Sequence, residues 1–126
     1  MSDTVFELEY EIKASIKMIF PYISSASGLA NWFCDDVVIK PNGKHDFIWD
    51  NESHIGDINI KKMNKSVSIV YDEGDNNYVN LELTENEFTQ SIFIKVEDAS
   101  DMADTHEDCD DIWVALIDDL KENFGG

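Results

Sequence analysis

Three histidines and two cysteines are the side chains here with the widest chemical range. His106, Cys109 and Asp110 stand at i, i+3 and i+4, a spacing that can set metal-capable groups on one helical face. A structural zinc would need two further soft ligands at matched spacing, and Cys34 is the sole other thiol. No metal and no cofactor are expected. A nucleophilic thiol needs a neighbouring cation or base. Cys34 is instead followed by Asp35-Asp36, which raise its pKa. Cys109 reads as a small core residue. His45 alternates with Phe47 and Trp49 and is expected at the rim of whatever those rings line. No motif sets a Ser, Cys or acid beside it, so no catalytic residue is assigned. His54 follows a turn-forming string, Asp50-Asn51-Glu52-Ser53, and is expected to be exposed. Asp72-Glu73-Gly74-Asp75-Asn76-Asn77 has the composition of a calcium loop. It lacks the central glycine and closing glutamate of an EF-hand at their required places, and reads as a solvated hairpin loop.

The aromatic residues suggest binding rather than reaction. Trp32, Phe33, Phe47, Trp49, Tyr71 and Trp113 come from four separate segments. The segments that must position them follow from periodicity. Phe6, Leu8, Tyr10 and Ile12 alternate with charged residues, as in a half-buried strand. Ser15 then caps a helical pattern at Ile16, Ile19, Phe20 and Ile23, interrupted by Pro21. A second short helix is expected over 27–32, with Gly28 holding open the corner between the two. Six strands follow, centred on Val37–Ile39, His45–Trp49, Gly56–Ile60, Val67–Tyr71, Val79–Leu83 and Ile92–Val96. Their hairpin-length connections predict an antiparallel meander. Cys109, Ile112, Trp113, Leu116, Ile117, Leu120 and Phe124 fall on one stripe of a closing helix, with Thr105 at its start. A sheet of seven strands cannot leave its apolar face wet, and only this last helix is long enough to cover it.

Charge narrows the partners. Nine lysines and no arginine oppose 27 acids, giving a net charge of −18. Such a field repels phosphate backbones, so nucleic acid is excluded as a partner. From Glu97 to Glu122 eleven acids face the single Lys121. This stretch reads first as a solubility device and second as a surface for a basic protein. No run of apolar residues is long enough for a membrane span, and the first residues lack the pattern of a secretory signal. With two cysteines and no disulfide framework, a cytoplasmic location is expected. The length predicts one domain over 1–126.

Several strings resemble a known family. Tyr22-Ile23-Ser24-Ser25-Ala26-Ser27-Gly28-Leu29-Ala30-Asn31-Trp32-Phe33 joins an apolar helix end, a small-residue corner, Gly-Leu and a Trp-Phe pair before acids. Phe47-Ile48-Trp49 is an aromatic strand after a glycine turn. Asp111 to Lys121 forms a closing helix with a central Trp. Together they resemble the START-like, Bet-v-type helix-grip superfamily. Within it they are most similar to small bacterial proteins related to activators of the heat-shock-protein-90 ATPase. The resemblance implies an α+β fold: a curved seven-stranded antiparallel sheet wrapped around a long C-terminal helix, with two short helices after the first strand. It also implies that the aromatic segments meet in a groove between sheet and helix. The expected groove lining is Trp32, Phe47, Trp49, Ile58, Ile69, Tyr71, Leu81 and Trp113, with His45 at the rim. The expected function is non-catalytic binding of an apolar or amphipathic small molecule. The alternative is a protein–protein module of the chaperone-activator kind, acting through its acidic surface on a basic partner. The inner-face positions inferred from the alternation are almost all apolar, with His45 the main exception, unlike the polar cavities the resemblance implies for helix-grip enzymes. Trp113 is expected to face the groove, its N–H meeting a ligand group or water, or else a backbone carbonyl.

Overall fold

The computed structural model describes residues 5–73, 77–100 and 104–125. Its elements run β1 (Phe6–Ile12), α1 (Ile16–Ser24), α2 (Ala26–Leu29), β2 (Asp36–Ile39), β3 (His45–Trp49), β4 (Glu52–Lys62), β5 (Ser66–Tyr71), β6 (Tyr78–Glu85), β7 (Ile92–Asp98) and α3 (His106–Glu122). The seven strands form one antiparallel sheet in the order β1-β7-β6-β5-β4-β3-β2. Strands β2 to β7 pair as consecutive neighbours, and β1 joins the far edge by pairing with β7, from Phe6 opposite Asp98 to Ile12 opposite Ile92. The alternation read in each strand puts Leu8, Ile12, Phe47, Val67, Ile69, Leu81, Leu83, Ile94 and Val96 on the inner, buried face. No helix among the described residues is long and apolar enough to cross a membrane.

Capping explains the helix starts. The Ser15 hydroxyl accepts from the Met18 N–H at 3.2 Å, and that of Ser25 from the Gly28 N–H at 3.1 Å. Pro21 lies inside α1, where it lacks the N–H that would bond the preceding turn. Helix α2 is shorter than expected. It ends at Leu29, and the chain continues in turns that place the Phe33 N–H on the Leu29 carbonyl at 2.8 Å. Gly28 does not hold a corner open; it permits a close approach. A Cβ there would lie 2.1 Å from the Pro21 carbonyl oxygen and 2.6 Å from the Tyr22 Cα. The two helices therefore meet backbone to backbone, and the Trp32 indole N–H closes the junction on the Tyr22 carbonyl at 2.7 Å.

Helix α3 starts where its sequence says. The Thr105 hydroxyl accepts from the Asp108 N–H at 3.1 Å. Cys109, Trp113, Ile117 and Leu120 are buried, while Glu107, Asp108, Asp111, Asp118, Asp119 and Glu122 face solvent. The Tyr10 hydroxyl donates to Asp110 Oδ1 at 2.6 Å and ties the helix to the edge strand β1.

Candidate functional site

The residues expected to line a groove separate into two groups. Phe47, Ile69, Leu81 and Trp113 are completely buried, and Trp32 is nearly so. Trp49 and Ile58 are half-buried at the periphery. The centre is filled by rings in contact. Phe33 lies with its centroid 5.9 Å from Trp113, 6.3 Å from Phe47 and 5.2 Å from Trp49. Trp32 sits 6.2 Å from Trp113. Phe33 is the hub of this cluster although it stood outside the expected lining. Its signal was its place beside Trp32, just past the end of a short helix.

Trp113 is satisfied by neither a ligand nor a backbone carbonyl. Its Nε1 donates to Asp98 Oδ2 at 2.7 Å, within the core. Asp98 is the last residue of β7 and only 3% exposed. Its Oδ1 also accepts from the Ser100 N–H at 2.8 Å and the Ser100 hydroxyl at 2.5 Å, and Cys109 Sγ approaches Oδ2 at 3.7 Å. A buried carboxylate requires such donors, because the water it gave up must be replaced. The Trp49 N–H is likewise spent, on the Phe33 carbonyl at 2.8 Å. Both thiols are pushed up to about 12, Cys109 by burial and then by Asp98, and Cys34 by burial chiefly. Neither is a nucleophile near neutrality.

The open part of the site lies at one end of the aromatic cluster. A cavity of about 440 Å³ is walled by the rings of Trp49, His54 and Tyr71, the carboxylates of Glu52 and Glu73, and the polar side chains of Asn77 and Ser100. His54 is not the exposed turn residue expected from the sequence. The loop between β3 and β4 is only Asp50-Asn51, both with left-handed backbones (φ 48° and 68°), which suits a two-residue hairpin turn. Strand β4 therefore begins at Glu52, and His54 pairs with Phe47 on the inner face. Its ring stands edge-on to Trp49 at 5.5 Å and to Tyr71 at 6.3 Å. Its Nδ1 lies 3.3 Å from Glu73 Oε1 and its Nε2 4.0 Å from Glu52 Oε2.

Tyr71 marks the inner wall. The residue is 7% exposed, and its hydroxyl has no hydrogen-bond partner among the described residues. Burial, then the nearby Asp98 and Cys34, push its phenol well above the ordinary range, so it stays a neutral O–H. The Asn77 Oδ1 is also buried without a partner, while its Nδ2 donates to the Glu73 carbonyl at 3.1 Å. His45 stacks on Phe47 at 6.2 Å with its Nδ1 buried and unpartnered, but it stands outside this cavity. A larger depression of about 690 Å³ lies on the sheet's outer face among Glu9, Glu82 and Lys95, away from the rings.

The metal-like spacings do not converge. His106 Nε2 lies 3.4 Å from the Glu7 carbonyl oxygen, Cys109 turns to Asp98, and Asp110 accepts from Tyr10. In the acidic loop, Asp72 pairs with Lys44 at 3.0 Å, and Lys44 also holds Asp57 at 2.7 Å. Gly74, Asp75 and Asn76 of that loop lie outside the described residues.

A curved antiparallel sheet gripping a C-terminal helix, with short helices after the first strand, defines a helix-grip α+β protein. The chain belongs to the START-like superfamily, whose domain model matches residues 1–126. Solved structures share the fold. The Aha1 dimer of Colwellia psychrerythraea is 17% identical, with 94% of each chain covered and a TM-score of 0.72. A Bacteroides fragilis protein is 23% identical over 98% of this chain and 92% of that one, with a TM-score of 0.63. A Bacillus thuringiensis protein is 12% identical over 98% and 100%, with a TM-score of 0.75. Among curated proteins none matches.

Proposed function

We propose that the protein binds an amphipathic small molecule without transforming it, as one domain spanning residues 1–126. The polar end of the ligand sits among Tyr71, Asn77 and Ser100, and its apolar part lies against Trp49 and the edge of the ring cluster. The observation that carries this reading is Tyr71, a residue of the cavity wall whose buried hydroxyl has no partner among the described residues. Leaving a buried hydroxyl unsatisfied costs about 1–3 kcal/mol, and a ligand group in the cavity would recover it. Membership of a superfamily with ligand-binding cavities supports the same reading. Phe47, Ile69, Leu81, Trp32 and Trp113 then form the packed floor, and a long apolar tail would enter only by displacing Phe33 or Trp49. Two free buried thiols suit a reducing, cytoplasmic setting.

Native mass spectrometry of protein purified from its own host tests the proposal. A retained small molecule, lost in Tyr71→Phe and Trp49→Ala variants that still fold, is the expected result. A bare protein mass, with no binding of a fluorescent hydrophobic probe, would overturn it. A second reading rests on the solvent face of α3, where six acids stand exposed. It is a docking surface for a basic protein, and its capture of that partner should weaken steeply with salt.

A further inference from the structure

We propose that the cavity at Trp49, His54 and Tyr71 selects ligands whose polar end is an organic cation, an amine or a quaternary ammonium. This deepens the binding role proposed above and rests on it. The argument is an inventory of donors and acceptors. Apart from the Tyr71 hydroxyl, the donors at the wall are engaged: the Trp49 N–H on the Phe33 carbonyl, the Ser100 hydroxyl on Asp98 and the Asn77 amide on the Glu73 carbonyl. The nitrogens of His54 are turned towards Glu73 and Glu52. What remains is acceptor-rich: Asn77 Oδ1, without a partner among the described residues, and the side chains of Glu52 and Glu73, against the single Tyr71 O–H, which can donate or accept. Among the described residues no lysine lines the cavity, and Lys44, which pairs with Asp72 beside Glu73, is held by Asp57 and Asp72. An anionic headgroup would meet two carboxylates there and few free donors.

The rings supply the second half of cation recognition. Trp49 and Tyr71 lie 6.3 Å apart and tilted by 59°, with His54 edge-on to both. A cation within about 6 Å of an indole or phenol face is attracted by the ring quadrupole. Such a group keeps its methyl or methylene surface against the rings while its charge faces the acids. Burial first, and then the nearby Asp98, push the Tyr71 phenol up, so an acid also lies close to this ring within the core.

The test is a calorimetric titration, at fixed ionic strength and below aggregation, with three probes of matched chain: decyltrimethylammonium, decyl maltoside and decanoate. The comparison uses Glu52→Gln/Glu73→Gln and a charge-matched control on the outer sheet face, Glu9→Gln/Glu11→Gln. All four positions are exposed, so the folds should persist. The cation is expected to bind about tenfold tighter than the neutral probe, a preference that the first pair abolishes and the control pair keeps. Equal affinity for cation and neutral probe overturns the cation preference while leaving amphiphile binding intact. Equal loss in both double variants also overturns it, assigning the preference to the overall charge. Failure of all three probes to bind overturns this inference together with the binding role.

Discussion

The aromatic core and the aromatic mouth share the same residue types and differ in how their polar atoms are completed. In the core, Trp113 and Trp32 are sealed, and each indole N–H reaches an acceptor within the chain. At the mouth, Tyr71 is 7% exposed, yet its hydroxyl and the neighbouring Asn77 oxygen have no partner among the described residues. A polar group completed internally rigidifies the place where it sits, whereas a buried one left without a partner costs stability and calls for an explanation. One aromatic cluster thus holds a structural floor and a candidate receptor side by side.

Alkali should be the largest perturbation, and it acts on both regions. Cys34 and Cys109 titrate near 12 when folded, well above the ordinary thiol range, and the Tyr10 and Tyr71 phenols are raised as well. Folding disfavours the ionised form of each, so their contribution is complete below the unfolded thiol pKa of about 8.5. It is lost progressively as pH rises towards about 12. Urea midpoints should be level from pH 7 to 8 and fall steeply above pH 9, about half a unit past the unfolded thiol pKa. Iodoacetamide at pH 8 should label neither thiol until the chain unfolds. Rapid labelling of native protein would mean that the core is open.

Removing the buried carboxylate is the next largest perturbation. Asp98→Ala strands the Trp113 N–H and the Ser100 donors, and should cost about 3 kcal/mol or more. Glu73→Ala at the exposed mouth should stay within about 0.5 kcal/mol. Chemical denaturation of both variants checks the contrast, and equal losses would erase the distinction between the two regions.

The smallest effect sharpens it. Trp113→Phe should lose about 2 kcal/mol, since it opens space in a sealed site and leaves Asp98 a donor short. Trp49→Phe should lose less than about 1 kcal/mol of stability while weakening capture of an amphiphilic probe. If Trp49→Phe proves the more destabilising of the two, the mouth is structural and the core assignment is reversed.

Much of this division has a trace in the strand pattern. Ile92, Ile94, Val96 and Asp98 fall on alternate positions, so the parity of β7 already carried Asp98 to the inner face. Its setting in an acid-rich run hid that signal, because a carboxylate among carboxylates reads as solvent-facing. His54 is likewise in phase with Gly56 and Ile58, but Asp50-Asn51-Glu52-Ser53 reads as a four-residue turn where two residues suffice. Only the left-handed conformations of Asp50 and Asn51 start β4 early enough to turn His54 inward. The Gly28 corner was visible as a small-residue string, though its cause is backbone contact with Pro21 rather than an unusual φ.

By itself the sequence determined the element order, the inner face of most strands, the caps at Ser15 and Thr105, and the membership that the Trp32-Phe33 and Trp113 strings announced. These depend on periodicity and on hydrogen bonds a few residues apart, which a linear reading carries. Only the tertiary structure decided which aromatics close on one another, which acid receives the Trp113 N–H, and that His54, Tyr71, Asn77 and Ser100 meet at one cavity. Those outcomes join residues from separate strands and loops. They are set by register and by the competition of buried polar groups for partners, and neither is written in the spacing of any one segment.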